Sequence, residues 1–273
     1  MPILHHRLLT AAGATPTRWS WMLHGILGNG QNLRAVAKRL ADEFTDIGFI
    51  LPDIRNHGDS HGVPGPDTLA GCAADLDALA TTVGIRPASA IGHSFGGKLA
   101  LVWGAATEAR GERVDQIWAL DVPPGRPEAA PALHSEVVRL TRALRGLPVP
   151  FARREGVVEA LTALGFASPL ARWMTTNLRR TDLGFVWRFN LDGIEAMLLD
   201  YLTVDTWPWL ESATRRARVD LLRAGQTPAW PNLERFAIPN LTLHELPNVG
   251  HWVHVDDPDG LHRLLAATLT DRA

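Results

Sequence analysis

The feature that most constrains the fold is the pentapeptide G-H-S-F-G at residues 92–96, which stands between an apolar run and a helix-forming run. A strand that turns directly into a helix puts its turn residue into strained backbone torsions, and flanking glycines let the two backbones approach closely. This context predicts that Ser94 is an exposed nucleophile above a sheet and that the N–H of Phe95 faces a developing oxyanion. Taken alone, the pattern also fits a glycine-rich turn of a nucleotide-binding or purely structural kind.

Apolar stretches and stretches with helical periodicity alternate on both sides of this turn. Strands are predicted at residues 19–24, 47–51, 88–92, 114–121, 219–225 and 241–246, and helices at 32–44, 68–83, 95–108 and 258–269. Such alternation is typical of a parallel sheet that is covered by helices on both faces. A further strand at 5–10 is expected to belong to an edge hairpin ahead of the buried strand at 19–24.

Residues 126–206 depart from this alternation. Helices are predicted at 131–144, 156–164, 169–177 and 193–201, with no buried strand between them. A helical insertion between two strands predicts a cap over the strand ends, so we expect a core of residues 1–125 and 207–273 and a helical cap of residues 126–206. Six apolar cap residues either line a pocket or form the core of the cap itself: Trp173, Met174, Phe185, Trp187, Phe189 and Leu191.

The other parts of an acyl-transfer site follow in the chain. Acyl transfer needs a base for the nucleophile, an acid that orients the base, and two donors for the oxyanion. The glycine-rich stretch H-G-I-L-G at 24–28 follows a buried strand and makes the N–H of Ile26 the candidate second donor, although a plain strand-ending turn explains it too. His251 lies in a glycine-preceded loop after the last strand and is the candidate base.

Two acids compete for the orienting role. The turn at Ser94 is called the elbow, and the helix predicted after it at 95–108 the elbow helix. Asp121 ends the strand that follows the elbow helix, at the carboxyl edge where α/β active sites assemble. Asp192 precedes a helix predicted from Gly193, and an N-cap role is enough to explain it. We therefore expect Asp121 to be the acid. Two further charged residues, Asp53 and Arg55, are assigned a structural role as a buried pair.

Composition excludes several other classes of function. The formal net charge of -2, with both signs spread along the chain, gives no basic footprint for nucleic acid. Cys72 is the only cysteine, so a disulfide or a thiolate metal cluster within the chain is ruled out, and no H-E-x-x-H pattern supports a metal hydrolase. No stretch approaches the ~18 apolar residues of a membrane span. We expect a cytoplasmic protein without a membrane, nucleic-acid or metal partner.

Four motifs together resemble the α/β-hydrolase fold family across nearly the whole chain: H-G-x-x-G at 24–28, D-x-R-N-H-G-D-S at 53–60, G-H-S-F-G-G at 92–97 and N-x-G-H-W at 248–252. Within that family, D-V-P-P at 121–124 and F-V-W-R-x-N-L at 185–191 resemble small bacterial serine esterases of the YbfF type. The resemblance implies a carboxylester or thioester hydrolase with Ser94 and His251 in its site. It also implies a small-molecule ester substrate, a mostly helical cap and no cofactor.

One departure from the family pattern bears on the acid. Many members of the family place the acid in a G-x-x-D loop after the seventh strand of the family's own sheet. The matching loop here, at 225–230 after the strand predicted at 219–225, reads G-Q-T-P-A-W. The esterase subgroup is similar in lacking that aspartate, which favours Asp121. The fold is also used by non-catalytic proteins, so a degenerate or ligand-binding protein stays the alternative. Serine at position 94 argues against dehalogenases and epoxide hydrolases, whose nucleophile is aspartate.

Overall fold

The computed structural model describes residues 3–126, 136–228 and 230–270. The strands are β1 (His6–Leu9), β2 (Arg18–Leu23), β3 (Ile47–Pro52), β4 (Ser89–His93), β5 (Gln116–Leu120), β6 (Leu178–Thr181), β7 (Gly184–Trp187), β8 (Arg218–Ala224) and β9 (Leu241–Leu246). The helices are α1 (Arg34–Glu43), α2 (Leu69–Val83), α3 (Phe95–Ala109), α4 (Glu136–Gly146), α5 (Glu155–Ala163), α6 (Ser168–Met174), α7 (Leu191–Tyr201), α8 (Trp207–Leu210), α9 (Val253–Asp256) and α10 (Pro258–Thr270). Among the described helices, none is both long and apolar enough to cross a bilayer.

Seven strands form one sheet in the order β1-β3-β2-β4-β5-β8-β9. Every neighbouring pair from β3 to β9 is parallel, and only β1 is antiparallel to its neighbour. The mostly parallel sheet predicted from the alternation of strands and helices is therefore confirmed. Its carboxyl edge brings the ends of β2, β4, β5 and β8 together, which is the usual place for a site in this architecture.

The two faces of the sheet are covered by different helices. On one face Leu76 of α2 and Leu99 of α3 pack against the sheet, while on the other Leu40 of α1 and Leu265 of α10 do so. Successive residues of the central strands point alternately into these two layers. Burial on both faces explains why the strands read as nearly continuous apolar runs in the sequence.

The first strand does not pair as expected. β1 runs antiparallel to β3, with His6 opposite Pro52, instead of forming a hairpin with β2. β2 already has parallel neighbours on both sides, so it has no free edge to offer. β3 has a free outer edge, and β1 takes it. The prediction of an edge strand was right, but the predicted hairpin was wrong.

The segment between β5 and β8 carries α4 to α7 and an antiparallel pair, β6 and β7, which the sequence analysis did not predict. Part of the helix predicted at 131–144 falls on residues 131–135, which lie outside the described residues. The remaining predicted helices of this segment are present, with ends shifted by a few residues. The division into a core of 1–125 and 207–273 and a cap of 126–206 remains our proposal.

Buried Lys98 of α3 contacts this segment near both ends, since its Nζ also lies 3.5 Å from the Val204 carbonyl. Lys98 Nζ donates to the carbonyls of Pro124 at 2.6 Å and Gly125 at 2.7 Å, where the chain leaves the sheet. Thr206 Oγ1, where the chain returns, donates to the same Pro124 carbonyl at 2.9 Å. Burial lowers the pKa of Lys98 to about 7. Helix α3 thus anchors both ends of the segment next to the residue that begins the helix.

Candidate active site

Ser94 occupies a strained turn between β4 and α3. Its φ of 54° and ψ of -117° lie outside the regions that ordinary residues prefer. A Cβ at position 92 would lie 2.1 Å from the Gly96 carbonyl oxygen, and a Cβ at position 96 would lie 2.3 Å from the Leu23 carbonyl oxygen. Only glycine fits at both positions. The strand-to-helix turn expected from the pentapeptide is therefore present, for the steric reason expected.

Asp121 and His251 meet at the carboxyl edge of the sheet. His251 Nδ1 lies 2.7 Å from Asp121 Oδ2 and donates a hydrogen bond to it. The Asp121 side chain is 3% exposed, whereas that of His251 is 43% exposed. The ring is therefore held from the buried side and accessible from the other. Because Nδ1 carries the proton, Nε2 of a neutral ring is left as an acceptor.

The loop that lacks an acid contributes to this site in another way. Asp121 Oδ1 accepts from the backbone N–H of Ala224 at 2.9 Å and from Thr227 Oγ1 at 3.0 Å. Both carboxylate oxygens are thus used, since Oδ2 binds His251. Asp121 itself has a φ of 49°, so its backbone is also held in an uncommon conformation. Thr227 fixes the carboxylate from the loop where many related sequences carry the acid itself.

The elbow and the Asp121–His251 pair are adjacent through the backbone. The N–H of Ser94 donates to the carbonyl of Leu120, the residue before Asp121, at 2.8 Å. His93, the residue before Ser94, places its Nε2 2.7 Å from the His251 carbonyl, and the two rings lie 4.7 Å apart. Among the described residues, no hydrogen bond joins Ser94 Oγ to the His251 ring. Such bonds often form only when substrate is bound.

Two backbone donors lie beside Ser94 without a partner. Within the described chain, neither the N–H of Ile26 nor that of Phe95 donates a hydrogen bond to another residue. A Cβ added to Gly25 would lie 3.5 Å from Ser94 Cβ, which places the loop of Ile26 directly against the elbow. Phe95 is the first residue of α3, so its N–H is one of the free donors of a helix N-terminus. Both N–H groups are therefore available to an outside acceptor, and their role as oxyanion donors stays a prediction.

Asp192 lies elsewhere and has a different partner. Its side chain is 82% exposed and pairs with Arg145 at 2.6 Å on the surface of the inserted segment. It is also not the N-cap, because α7 begins at Leu191 and the cap is Asn190, whose Oδ1 accepts from the Gly193 N–H. The N-cap predicted for Asp192 was therefore wrong by two positions. Its surface ion pair leaves it no contact with His251.

Asp53 and Arg55 are buried as expected but do not pair with each other. Asp53 accepts the N–H groups of Gly30 at 2.8 Å and Asp59 at 2.9 Å. Arg55 turns to α2, where its Nε lies 2.7 Å from Asp75. The predicted pair was wrong because backbone donors already occupy the Asp53 carboxylate. Both residues have the structural role that the sequence indicated, with other partners.

One group of side chains could offer ligand atoms to a cation. Nitrogen and oxygen atoms of His5, Asp53 and Asp59 lie within 4.8 Å of one another. Asp53 already binds His5 at 3.2 Å, and Arg188 pairs with Asp59 at 2.7 Å. The charges of this cluster are thus balanced by protein groups, so these contacts do not call for a metal.

Two histidines connect the Ile26 loop to the loop at 53–60. His24 Nε2 accepts the Ile54 N–H at 2.9 Å, and His57 Nε2 accepts the Leu27 N–H at 2.9 Å. The two rings lie edge to face with centroids 5.1 Å apart. An accepting nitrogen must be unprotonated, so both rings are neutral in this arrangement. Burial lowers the pKa of His24, and it lowers the pKa of His57 to about 3.

We expect these rings to make the protein sensitive to acid. Burial also lowers the pKa of His93 and lowers that of His254 to about 4. A histidine in the unfolded chain has a pKa near 6.5. Below that pH the unfolded state binds protons at these positions, whereas the folded state keeps the rings neutral. The free energy of unfolding therefore falls as the pH falls. The lowered pKa of His57 alone should reduce the free energy of unfolding by about 2 kcal/mol when the pH falls from 7.5 to 5.

Thermal unfolding followed by circular dichroism at these two pH values tests this expectation. Because His24, His93 and His254 shift in the same direction, the total loss should exceed that of His57 alone. We expect a clearly lower Tm at pH 5, recovered on return to pH 7.5. Equal Tm values at both pH values would show that the rings are not held neutral.

Side chains of the inserted segment reach the site from above. The ring of Tyr201 on α7 lies 6.0 Å from that of Phe95, and burial together with the nearby Asp121 carboxylate raises the pKa of Tyr201. Trp173 on α6 lies 4.7 Å from the ring of Trp252, the neighbour of His251. Aromatic side chains of the segment therefore lie against the sequence neighbours of Ser94 and His251.

The sequence analysis missed three side chains that hold the site in place. Thr227, His57 and Asn177 each bind a residue of the site or of its loops. The motif around 53–60 was a signal for His57, but it did not indicate which atom the ring binds. Thr227 and Asn177 carry no local signal, because each lies over 100 positions from its partner.

Comparisons with known proteins agree with this architecture. The profile of the alpha/beta hydrolase family matches residues 3–264. The chain is 28% identical over 244 residues to the sn-1-specific diacylglycerol lipase ABHD11 of Mus musculus, covering 86% of this chain and 76% of the relative. It is 23% identical over 269 residues to the esterase YbfF of Escherichia coli (strain K12), covering 92% of each.

Solved structures show the same fold. A marine microorganism esterase superposes with a TM-score of 0.78 at 22% identity, over 97% of this chain and 98% of the other. A hydrolase of E-2-(acetamidomethylene)succinate superposes with a TM-score of 0.72 at 18% identity, over 97% and 99%. At such identities the likeness concerns the fold.

Proposed function

The chain belongs to the alpha/beta hydrolase family, and on that basis we propose that it is a serine esterase that hydrolyses small carboxylesters or thioesters. Ser94 is the nucleophile, His251 the general base and Asp121 the acid that orients it. The N–H groups of Ile26 and Phe95 form the oxyanion hole. Relatives named as an esterase and a lipase support a hydrolase of this kind.

The observation that carries the proposal is the hydrogen bond of 2.7 Å between His251 Nδ1 and the buried Asp121. Asp121 follows Leu120, whose carbonyl accepts the N–H of Ser94 in its strained turn. A buried carboxylate that receives the Nδ1 proton fixes the tautomer whose Nε2 accepts a proton. In this proposal the exposed side of the ring, through Nε2, serves the ester that Ser94 attacks. A structural histidine can also bind a buried carboxylate, as His244 binds Asp220 at 2.9 Å, but the His251 pair lies beside the strained Ser94 turn.

In the first half of the reaction, His251 Nε2 takes the hydroxyl proton of Ser94 while Oγ attacks the ester carbonyl carbon. The carbonyl oxygen gains the electron pair and is stabilised by the Ile26 and Phe95 N–H groups. When the tetrahedral intermediate collapses, the bond to the leaving alcohol or thiol breaks, and that group receives the proton from His251. The acyl group remains on Ser94 Oγ.

In the second half, His251 removes a proton from water, which attacks the acyl carbonyl carbon. The same two N–H groups stabilise the second oxyanion. Collapse breaks the bond to Ser94 Oγ, and His251 returns the proton to the serine. The products are an acid and an alcohol or thiol, and the protein's groups end in their starting protonation states. No cofactor is required by this sequence of steps.

The proposal is tested by release of p-nitrophenol from acetate and butyrate esters, together with labelling by a fluorophosphonate. We expect saturable turnover and one covalent label, both blocked when the protein is treated with the fluorophosphonate first. Absence of both turnover and labelling would favour the alternative, a ligand-binding or degenerate member of the family.

The apolar, tightly packed side chains of the inserted segment lead us to expect selectivity by size and charge. Of the six apolar residues considered for the pocket, Met174 and Phe189 are buried in the core cluster and the other four pack against it. We expect p-nitrophenyl acetate and butyrate to have a higher kcat/KM than the octanoate. For charge, butyryl-N-acetylcysteamine should be preferred over butyryl-coenzyme A, which has the same thioester but carries phosphates. Preference for either the long or the phosphate-bearing substrate would contradict this account.

The cytoplasmic location expected from the sequence remains a prediction.

A further inference from the structure

Leu27 adopts a backbone conformation that leucine avoids. Its φ is 58°, in the left-handed region that residues with a branched side chain rarely adopt. It is the third residue of a tight turn closed by a hydrogen bond of 3.0 Å from the Gly28 N–H to the Gly25 carbonyl. Turns with a left-handed third residue usually place glycine there. Here the conformation must be held by something outside the turn.

Two side chains from distant parts of the chain bind the two backbone polar groups of Leu27. His57 Nε2 accepts its N–H at 2.9 Å, and Asn177 Nδ2 donates to its carbonyl at 2.7 Å. The other end of the Asn177 amide is also used, since its Oδ1 accepts from Asn29 Nδ2 at 3.3 Å. Leu27, His57 and Asn177 are all nearly fully buried, so water is a poor substitute for either side chain.

The conformation of Leu27 decides which type of turn residues 25–28 form. If Leu27 relaxed to a negative φ, the peptide between Ile26 and Leu27 would rotate and the turn would change type. That rotation would redirect the Leu27 N–H and the Ile26 carbonyl and leave the Gly25–Ile26 peptide, which carries the Ile26 N–H, in its orientation. The Ile26 N–H therefore depends on Leu27 through its position, because a turn that is no longer held at Leu27 is free to shift as a whole. The same N–H has no partner in the described chain and borders Ser94 through Gly25.

We propose that Asn177 is a positioning residue for the oxyanion hole. Its Nδ2 binds the Leu27 carbonyl while His57 binds the Leu27 N–H, and together the two bonds hold the turn. The held turn keeps the Ile26 N–H in place at the oxyanion. Asn177 lies in the segment between β5 and β8, whereas the turn belongs to the sheet edge. The oxyanion hole is therefore complete only when the inserted segment is docked. This inference rests on the proposed esterase function.

The same segment offers a matched control. Asn190 also joins it to the sheet layer, with its N–H 2.8 Å from the Asn56 carbonyl and its Nδ2 3.2 Å from Asn56 Oδ1. Within the described part of the chain, Asn190 makes no hydrogen bond to the turn at 25–28. Asn177→Leu and Asn190→Leu thus each remove one asparagine that docks the segment, but only the first releases Leu27.

We expect Asn177→Leu to lower kcat about ten- to a hundredfold, less than the ~10²–10³ seen when an oxyanion donor is removed outright. KM should change less than about threefold, because the lost interaction acts mainly in the transition state. The inhibition constant of a short-chain trifluoromethyl ketone should rise by about the factor by which kcat/KM falls, since its adduct with Ser94 carries an oxyanion. Asn190→Leu, assayed well below its own Tm, should keep kcat within about twofold.

Amide hydrogen exchange at residues 25–28 gives a readout that does not depend on activity. Exchange there should be faster in Asn177→Leu and unchanged in Asn190→Leu. Should the leucine variant fail to fold, Asn177→Asp keeps the shape of the side chain, lacks the Nδ2 donor, and should show the same pattern.

Equal kcat values in the Asn177 and Asn190 variants, or unchanged exchange at 25–28, would overturn the positioning role while leaving the esterase proposal standing. Failure of the esterase proposal looks different: the wild-type protein would not turn over esters, or Ser94→Ala would retain activity. In that case the oxyanion role of Asn177 is rejected as well, even if the exchange result shows that it holds the turn.

Discussion

Replacing Ser94 by alanine should abolish ester hydrolysis while leaving the fold intact. The hydroxyl is the only group at the elbow that forms the acyl bond, so its loss removes both halves of the reaction. We expect kcat to fall by at least ~10³, with a residual rate from the oxyanion hole and substrate binding alone. The measurement is p-nitrophenyl butyrate turnover by the purified variant, with circular dichroism to verify folding.

Ser89 offers a matched control for this substitution. It begins the same strand, β4, and its hydroxyl makes only a weak contact of 3.5 Å with the Trp19 carbonyl. Ser89→Ala should therefore keep wild-type activity and still react with a fluorophosphonate, whereas Ser94→Ala should do neither. A tenth of the wild-type activity in purified Ser94→Ala would rule out Ser94 as the nucleophile.

The second large effect is expected from Asp121→Asn. An asparagine at this position presents an amide N–H₂ or a neutral oxygen to His251 Nδ1, and either weakens the hold on the productive tautomer. If this site behaves like the serine-protease triad, kcat should fall by about 10⁴. The buried position adds a cost in stability, because Ala224 and Thr227 lose a charged acceptor.

Asp192→Asn is the comparison variant, because it makes the same chemical change at the competing acid. Its carboxylate is exposed and pairs with Arg145, so its loss should leave kcat near the wild-type value and change Tm little. Each variant is assayed well below its own Tm. If Asp192→Asn proves inactive while Asp121→Asn turns over at nearly the wild-type rate, the assignment of the acid is wrong.

Much of the sheet could be predicted because its signals are local. Strands buried on both faces appear as apolar runs, and helices that cover them show apolar residues at helical spacing. The ends of β9, Leu241–Leu246, match the prediction, and most other ends differ by one or two residues. The pairing of β1 could not be read in this way, because a strand's partner depends on which edge of the sheet is free.

The parts of the candidate site that the sequence indicated are likewise those with local signals. The elbow glycines, the serine between them and the chain order of Asp121 and His251 follow from short-range sterics and from the position of each residue at a strand end. These are properties of a few neighbouring residues, so the sequence alone indicated them.

The tertiary structure alone decided the partners of buried polar groups. Asp53 binds backbone donors instead of Arg55, Thr227 serves Asp121 from a loop that lacks an acid, and Asn177 reaches Leu27 across 150 positions. A buried polar group must find a partner, but which one it finds depends on what the fold brings within about 3 Å. That distance is set by the packing of the whole sheet and the inserted segment, and no local pattern in the chain encodes it.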